Sequence, residues 1–343
     1  MRFNKLCIAT AMVAVPLCAF ASEGVQSETE KIDYLPRIHG VLRTRYEAEF
    51  PDWEQRFQVR NARVSVEGDV LRSLSYFVRV DACDRGKIKM LDAWARWRFL
   101  PGWDVQAGQM RVPFGVGVFR GPGDYYFANR TFMAKQIANL YQVGLKLAWH
   151  GTPSVPLTLE AGVYNSSPMG DHEVWQNAMD FAGKAIWQVG NVALSTSFLT
   201  MKPYGVRMNV VDGGVSWKFF RWFIEGEYQH LHYVGGAYKD VHAWNMMASY
   251  GLPLSRGVFD KLSFQGRFDG MSDHSAGTPD ADGRLITDDY ARRRLTLGTS
   301  ISYTRKPVKA ELHLNYENYF FDRGVEAPRG SRDKLVAELV IKF

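Results

Sequence analysis

Short segments in which apolar and polar side chains alternate recur along almost the whole chain. A period of two is the pattern of a β-strand with one apolar and one polar face. Beyond the amino terminus no run of eighteen apolar residues occurs, so no transmembrane helix is expected. The alternating segments number sixteen, at residues 35–49, 55–70, 73–83, 88–99, 103–110, 140–150, 156–165, 179–189, 191–200, 206–219, 221–233, 240–251, 259–270, 290–304, 307–321 and 332–343.

The connections between these segments are of two kinds that take turns along the chain. Tight turns such as Leu71-Arg72 and Gly190 alternate with connections that are mostly longer and polar, such as 166–178. Short turns at one rim and longer loops at the other are typical of outer-membrane barrels. Because lipid offers the backbone no hydrogen bonds, a chain without hydrophobic helices can span a membrane only as a closed barrel. We therefore predict an all-β fold, a closed antiparallel transmembrane barrel of sixteen strands over residues 35–343.

The amino-terminal segment has the features of an export signal. Arg2 and Lys5 precede an apolar stretch, and Ala19-Phe20-Ala21 fits the small-x-small pattern of signal-peptide cleavage. Lipidation at Cys18 is the less favoured alternative, because a leucine and not a small residue precedes it. We predict a signal peptide at 1–21 and a short periplasmic segment at 22–34.

The carboxy terminus points to the same destination. The last strand alternates large apolar and other side chains and ends on Phe343, as bacterial outer-membrane barrels do. We expect this strand to be recognised by the barrel-assembly machinery and to pair with strand 35–49, which closes the sheet and removes its edges.

Charge and motif content argue against other classes of function. Without residues 1–21 the chain has 40 basic and 36 acidic residues, a net charge of +4, which is too mild for nucleic-acid binding. Cys83 would be the one remaining cysteine, so no intramolecular disulfide can form. No nucleophile, Walker or zinc motif stands out. We predict that the protein is not an enzyme and has no catalytic residues, cofactor or metal.

Two groups of possible metal ligands are weaker signals. Loop 271–289 contains Asp280-Ala281-Asp282-Gly283, but it lacks the full spacing and terminal glutamate of a calcium loop, so a solvated acidic loop is favoured. His230, His232 and His242 could approach one another across a hairpin, although histidines of an aromatic girdle are the simpler interpretation.

The polar face of the strands must line the lumen, because an arginine or lysine facing lipid costs about 2–4 kcal/mol at the midplane. Strand phase then gives a predicted basic lumen wall, whose denser part lies on the first four strands. Arg60 is ambiguous, since the phase of Ala62 and Val64 turns it outward unless a β-bulge near Asn61 resets the strand. The predicted wall residues are Arg43, Arg45, Arg60, Arg63, Arg79 and Arg96.

Several segments, in order, resemble a known family. They are Arg56-Phe57-Gln58-Val59-Arg60-Asn61-Ala62-Arg63-Val64, Lys89-Met90-Leu91-Asp92-Ala93-Trp94, Gly108-Gln109-Met110-Arg111-Val112-Pro113-Phe114 and Gly162-Val163-Tyr164-Asn165, followed by the final strand. On these motifs the chain resembles the phosphate-selective porin O and P family. The resemblance implies a homotrimeric channel in the outer membrane of a Gram-negative bacterium, whose third extracellular loop folds inward and whose basic residues guide anions such as phosphate. The family motif has basic residues at both the Arg60 and the Arg63 positions, so the resemblance implies a β-bulge near Asn61 that turns both inward. The chain is shorter than the best-known members, so vestibule residues are not transferred from them.

The residues predict an inward loop independently of the family. The longest connection, 111–139, is rich in glycine, proline and aromatic residues, and a long connection of this kind usually has a function. Its apolar surface fits the inner barrel wall, which would make it a constriction. Its four cations, against the single acid Asp124, give a local net charge of +3, and they are Arg111, Arg120, Arg130 and Lys135.

Two interpretations of these cations stay open. They could select anions, because a narrow neck of low dielectric focuses their field. They could instead pin the loop by pairing with wall acids such as Glu67, Asp81, Asp92 or Glu160, since buried charges are normally partnered. We expect a passive porin biased toward phosphate or similar small anions. The alternatives are a nonspecific small-solute porin, or a structural, adhesive or enzymatic barrel that does not conduct.

Overall fold

A computed structural model describes residues 34–84, 87–137, 140–166, 175, 177–202, 206–236, 238–274, 281–282, 289–322 and 324–343. The predicted signal peptide at 1–21, most of segment 22–34 and most of the acidic loop 271–289 lie outside these residues. Among the described residues, no helix is long and apolar enough to cross a membrane.

Sixteen strands form one closed antiparallel barrel within the described part of the chain, as the alternation predicts. Each predicted segment overlaps an observed strand, and the ends agree within two residues. The strands are β1 Arg37–Glu49, β2 Glu54–Leu71, β3 Leu74–Asp84, β4 Lys87–Leu100, β5 Trp103–Arg111, β6 Tyr141–His150, β7 Leu157–Asn165, β8 Met179–Val189, β9 Val192–Met201, β10 Met208–Phe219, β11 Trp222–Tyr233, β12 Val241–Pro253, β13 Lys261–Met271, β14 Arg292–Arg305, β15 Val308–Phe321 and β16 Lys334–Lys342.

The barrel closes where β1 pairs with β16. Arg45 lies opposite Glu338 in this register, and Phe343 continues beyond β16 to exchange backbone hydrogen bonds with Gly40 at 2.8 and 3.1 Å. Closure gives every strand a partner on both sides and leaves no edge exposed to lipid. The last strand therefore completes the sheet, as the sequence predicts.

The two faces of the sheet differ as the alternation requires. On β14 the outward Leu297 is 55% exposed, whereas the inward Thr296 is fully buried. Leu312 and Leu314 on β15 also face outward and are exposed, while the next residue, Asn315, faces inward and is buried. The exterior is thus an apolar band suited to lipid, and the charged and amide side chains point into the barrel.

A β-bulge in β2 resolves the orientation of Arg60. Arg43 pairs with Asn61 and the next residue, Thr44, pairs with Val59, so Arg60 is the extra residue. The bulge joins two stretches whose alternation is out of phase, which a strand can do only by adding one residue. The predicted irregularity near Asn61 is confirmed.

The connection between β5 and β6 folds into the barrel, as predicted. It contains two short 3₁₀ turns, Gly117–Phe119 and Pro122–Asp124, and a short helix, α1, at Phe132–Gln136. The Thr131 hydroxyl caps α1 by accepting a hydrogen bond from the Ala134 backbone amide at 3.2 Å. Buried apolar side chains of this loop pack against inward residues of β7 to β13. The loop contributes Val112, Phe114, Val118, Phe132, Met133, Ala134 and Ile137, and the wall contributes Tyr164, Ala182, Leu199, Met201, Val210, Leu231, Tyr233, Val241, Ala243 and Met271.

Candidate functional site in the barrel lumen

The first half of the inward loop is fixed to the wall by ion pairs and backbone hydrogen bonds. Glu227 on β11 accepts hydrogen bonds from the amides of Val116 and Gly117 at 2.7 and 3.1 Å. Two residues earlier on the same strand, Glu225 forms a bidentate ion pair with Arg120. Burial by itself would lower the pKa of Arg120, but the carboxylate of Glu225 outweighs burial and raises this pKa. Arg120 is therefore a structural pin of the loop.

A glycine on the wall makes the same contact possible. A Cβ built on Gly214 of β10 would lie 2.5 Å from Cγ2 of Val116, which is closer than real Cβ contacts. The missing side chain lets the loop backbone approach the strand, as glycine does where two segments meet closely.

The second half of the loop is fixed to a neighbouring part of the barrel, β13 to β15. Asn315 on β15 accepts a hydrogen bond from the Ala128 amide at 2.8 Å, and Asp269 on β13 accepts one from the Phe132 amide at 3.1 Å. Arg294 on β14 donates to the Arg130 carbonyl at 2.7 Å and pairs with Asp269 at 2.9 Å. We call β13 to β16 together with β1 the seam wall.

Two predicted wall arginines belong to this seam wall and serve the loop. Arg43 pairs with Glu338 at 2.7 Å and donates to the Ala128 carbonyl at 2.7 Å. Arg45 lies 3.3 Å from Glu47 and donates to the Asn129 side chain at 2.8 Å. Both side chains are nearly inaccessible to solvent. Their positive charges are compensated and hold the loop, so they present little free charge to a solute.

The remaining predicted wall arginines form a different surface, which we call the basic wall, on β2 to β4. Arg63 pairs with Asp81 at 2.8 Å, and Arg79 lies 3.4 Å from Asp92 while its guanidinium covers the Phe77 ring. Arg96 covers the Trp94 ring, and its nearest carboxylate is 3.8 Å away. These guanidinium groups stay partly exposed.

Five cations lie close together where the loop faces the basic wall. Burial lowers the pKa of Arg130, and the nearby positive charges of Arg111, Arg60 and Arg63 lower it further. Lys135 is exposed to the lumen, but desolvation inside the barrel and the positive charge of Arg60 lower its pKa too. Within the described residues, neither Arg60 nor Lys135 has a carboxylate within 4 Å. Like charges at this edge of the loop thus influence one another without full neutralisation.

Arg111 stands at the start of the loop and holds it in a different way. Its guanidinium donates to the Val118 carbonyl and, at 2.5 Å, to the hydroxyl of Tyr141. No acidic side chain in the described ranges forms an ion pair with it. Arg111 therefore keeps its net charge while shaping the loop.

A cavity of about 520 Å³ lies in the lumen between the loop and β3 to β10. Five basic side chains and two acidic ones line it. Lys146 pairs with Glu160 at 2.7 Å and Arg79 with Asp92, so a surplus of three positive charges remains. The basic side chains are Arg79, Arg96, Arg111, Lys146 and Lys184.

The sequence located the cations but missed the anchors of the loop. The ion pair that holds Arg120 is made by Glu225. None of the acids that the sequence suggested as partners makes it. The alternation shows that Glu225 and Glu227 point inward, but it cannot show which strand the loop reaches across the lumen. A pair of inward acids two residues apart on a distant strand was the available signal.

The histidines singled out in the sequence do meet, on the outer face of the barrel. The rings of His230 and His242 stack with centroids 4.8 Å apart, and Asp240 lies 3.0 Å from His230 and 2.8 Å from His232. Among the residues that the structure describes, no cluster of histidine, cysteine or acidic side chains has the arrangement of a metal site.

Residues 40–201 match the sequence model described as phosphate-selective porin O and P. This confirms the resemblance over the part of the chain that carries the internal motifs. No curated protein matches the chain. The family match and the lipid-facing barrel locate the protein in the outer membrane of a Gram-negative bacterium.

Solved structures similar to the barrel are outer-membrane proteins. OmpF of Salmonella typhi in complex with daunomycin has a TM-score of 0.63 at 11% identity, covering 90% of this chain and 97% of that one. OmpT of Vibrio cholerae with loop L8 deleted has a TM-score of 0.60 at 12% identity, covering 91% and 100%. An anion-selective porin from Comamonas acidovorans has a TM-score of 0.59 at 12% identity, covering 90% and 98%. At these identities the likeness shows the fold.

Proposed function

We propose that this porin, whose residues 40–201 match the phosphate-selective porin O and P family, is a passive diffusion channel biased toward small anions such as phosphate. The observation that carries the proposal is the edge of the inward loop, where Arg60, Arg111 and Lys135 face the lumen without an ion-paired carboxylate among the described residues. Charge at a narrow neck of low dielectric attracts ions of the opposite sign more strongly than the same charge in open water.

The wall provides further weak sites beside that neck. Arg79 and Arg96 point into the cavity, and each guanidinium offers planar donors that match the oxygens of phosphate or carboxylate. Neighbouring acids such as Asp92 moderate the attraction. Passage requires binding that is strong enough to admit the ion and weak enough to release it, and partly compensated cations meet both needs.

The role of each proposed constriction residue follows from its contacts. Arg111 and Lys135 provide the positive electrostatic field at the neck, and Arg120 holds the loop in place. Arg130 adds positive charge beside Arg60 and Arg63. A homotrimer and insertion through the Phe343 strand complete the proposal; OmpT of Vibrio cholerae has been solved in a trimer form, and the Comamonas relative is named anion-selective. Conduction rather than catalysis is the proposed activity.

Planar-bilayer recording of the purified protein tests the proposal directly. We expect discrete conductance steps and, in a KCl gradient, a reversal potential favouring Cl⁻ over K⁺. Absence of steps would exclude a porin. Steps with equal permeability for both ions would indicate a nonspecific porin, and a preference for K⁺ would overturn the anion bias.

A further inference from the structure

One aromatic ring of the loop is exposed inside the charged lumen. Phe119 is 40% exposed and lines the cavity, whereas loop residues Phe114 and Val118 are fully buried. Leaving this much apolar area in water forfeits part of the free energy that burial would supply. A path for inorganic ions alone gains nothing from such a ring.

Two cations flank the same ring. The Lys184 ammonium lies 4.0 Å from the Phe119 centroid, and the Arg111 guanidinium lies 6.0 Å from it. Lys184 is held in place by the Gly115 carbonyl at 2.5 Å, and Arg111 by Tyr141. The positive charges and the exposed ring are therefore fixed relative to each other, as in a preformed site.

The rest of the cavity repeats this combination. Beside the cations, apolar side chains face the same space from the loop and from β8 and β9, namely Val116, Ile186 and Ala193. A volume of about 520 Å³ lies within the ~300–1,000 Å³ typical of small-molecule sites. Phosphate presents oxygens on every side and cannot use an apolar wall, because that wall replaces none of its hydration.

We propose that the cavity beside Phe119 is a binding site for amphipathic organic monoanions, that is, carboxylates carrying an aromatic or alkyl body. The carboxylate lies toward Arg111 and Lys184, and the body lies against Phe119 and Ile186. This inference rests on the proposed channel function and refines it, since it ranks organic anions above inorganic phosphate at this site.

The test is block of chloride current in planar bilayers by acetate, butyrate, benzoate and inorganic phosphate. We expect the half-blocking concentration to fall from acetate to butyrate to benzoate, with benzoate about tenfold more effective than acetate, as burial of the additional apolar area predicts. Equal block by all three carboxylates, or stronger block by phosphate than by benzoate, would overturn the inference.

Variants separate the site from the channel. Phe119→Ser should reduce the benzoate-to-acetate ratio to about threefold or less, and Ile186→Ser should reduce it by a smaller factor, while single-channel chloride conductance persists. Phe220→Ser is the matched control, because Phe220 is 95% exposed in the turn after β10 and lies outside the cavity lining. An unchanged ratio in Phe119→Ser defeats the inference, whereas absence of current in the wild type defeats the channel proposal itself.

Discussion

The seam wall and the basic wall both carry arginines, but the arginines have different partners. On the seam wall, Arg294 pairs with Asp269 and Glu317 at 2.9 and 3.3 Å and also donates to the loop backbone. On the basic wall, Arg79 has one carboxylate at 3.4 Å and an aromatic ring, and Arg60 has no ion pair among the described residues. A count of the inward arginines alone would therefore not distinguish the two walls.

The difference shows how one residue type performs two tasks in one lumen. Arginine surrounded by carboxylates and carbonyls is a rigid cross-link, because its five donors bind several acceptors at once. Arginine with fewer acceptors keeps donors and charge for a passing solute. The position of the loop decides which arginine is which, since the loop covers the seam wall and leaves the basic wall open.

The largest expected effect comes from removing the shared carboxylate of the seam wall. Asp269→Asn should lower the free energy of unfolding by about 3–5 kcal/mol, because Arg267 and Arg294 then remain buried without their common partner. Unfolding of the barrel with increasing guanidinium chloride measures this free energy. Asp92→Asn on the basic wall is the matched control, with an expected loss below about 1 kcal/mol since Arg79 is partly exposed. Equal losses in both variants would remove the distinction between the walls.

The second effect is a change in ion selectivity that leaves the stability of the barrel almost unchanged. The double variant Arg60→Gln and Lys135→Gln should lower the ratio of Cl⁻ to K⁺ permeability by about two- to fivefold, as expected for two charges acting across several ångströms of screened lumen. Its unfolding free energy should change by less than about 0.5 kcal/mol. Arg305→Gln is the control, since Arg305 is an exposed residue at the end of β14 that lies outside the cavity lining. Unchanged permeability in the double variant would show that these charges do not act on the permeating ion.

The barrel could be predicted from the sequence because its code is local. Alternation fixes which side of each strand faces lipid, and the bulge at Arg60 was expected because the resembling family motif has basic residues at both the Arg60 and the Arg63 positions. The seam between β1 and β16 followed from closure alone. None of these inferences requires knowledge of which residues meet across the lumen.

The loop's contacts could not be predicted for the opposite reason. The sequence assigns Arg43 and Arg79 the same inward orientation, yet Arg43 donates a hydrogen bond to the Ala128 carbonyl of the loop, whereas Arg79 lines the cavity. That outcome depends on the path of a long loop with little regular structure, whose apolar residues pack against β7 to β13. The site is therefore a property of the loop's path more than of the wall.

The smallest expected effect is a pH dependence that distinguishes the two kinds of cation. Lys135 is exposed to the lumen, yet desolvation inside the barrel and the neighbouring Arg60 lower its pKa, so its ammonium loses a proton at a lower pH than a lysine in open water does. Because deprotonation removes positive charge from the edge of the loop, anion selectivity should decline as pH rises toward that pKa. In reversal-potential measurements, Lys135→Arg should retain its selectivity over the same range, since a guanidinium stays protonated. A wild type and a Lys135→Arg variant with the same pH profile would mean that the charge at the constriction comes from the arginines alone.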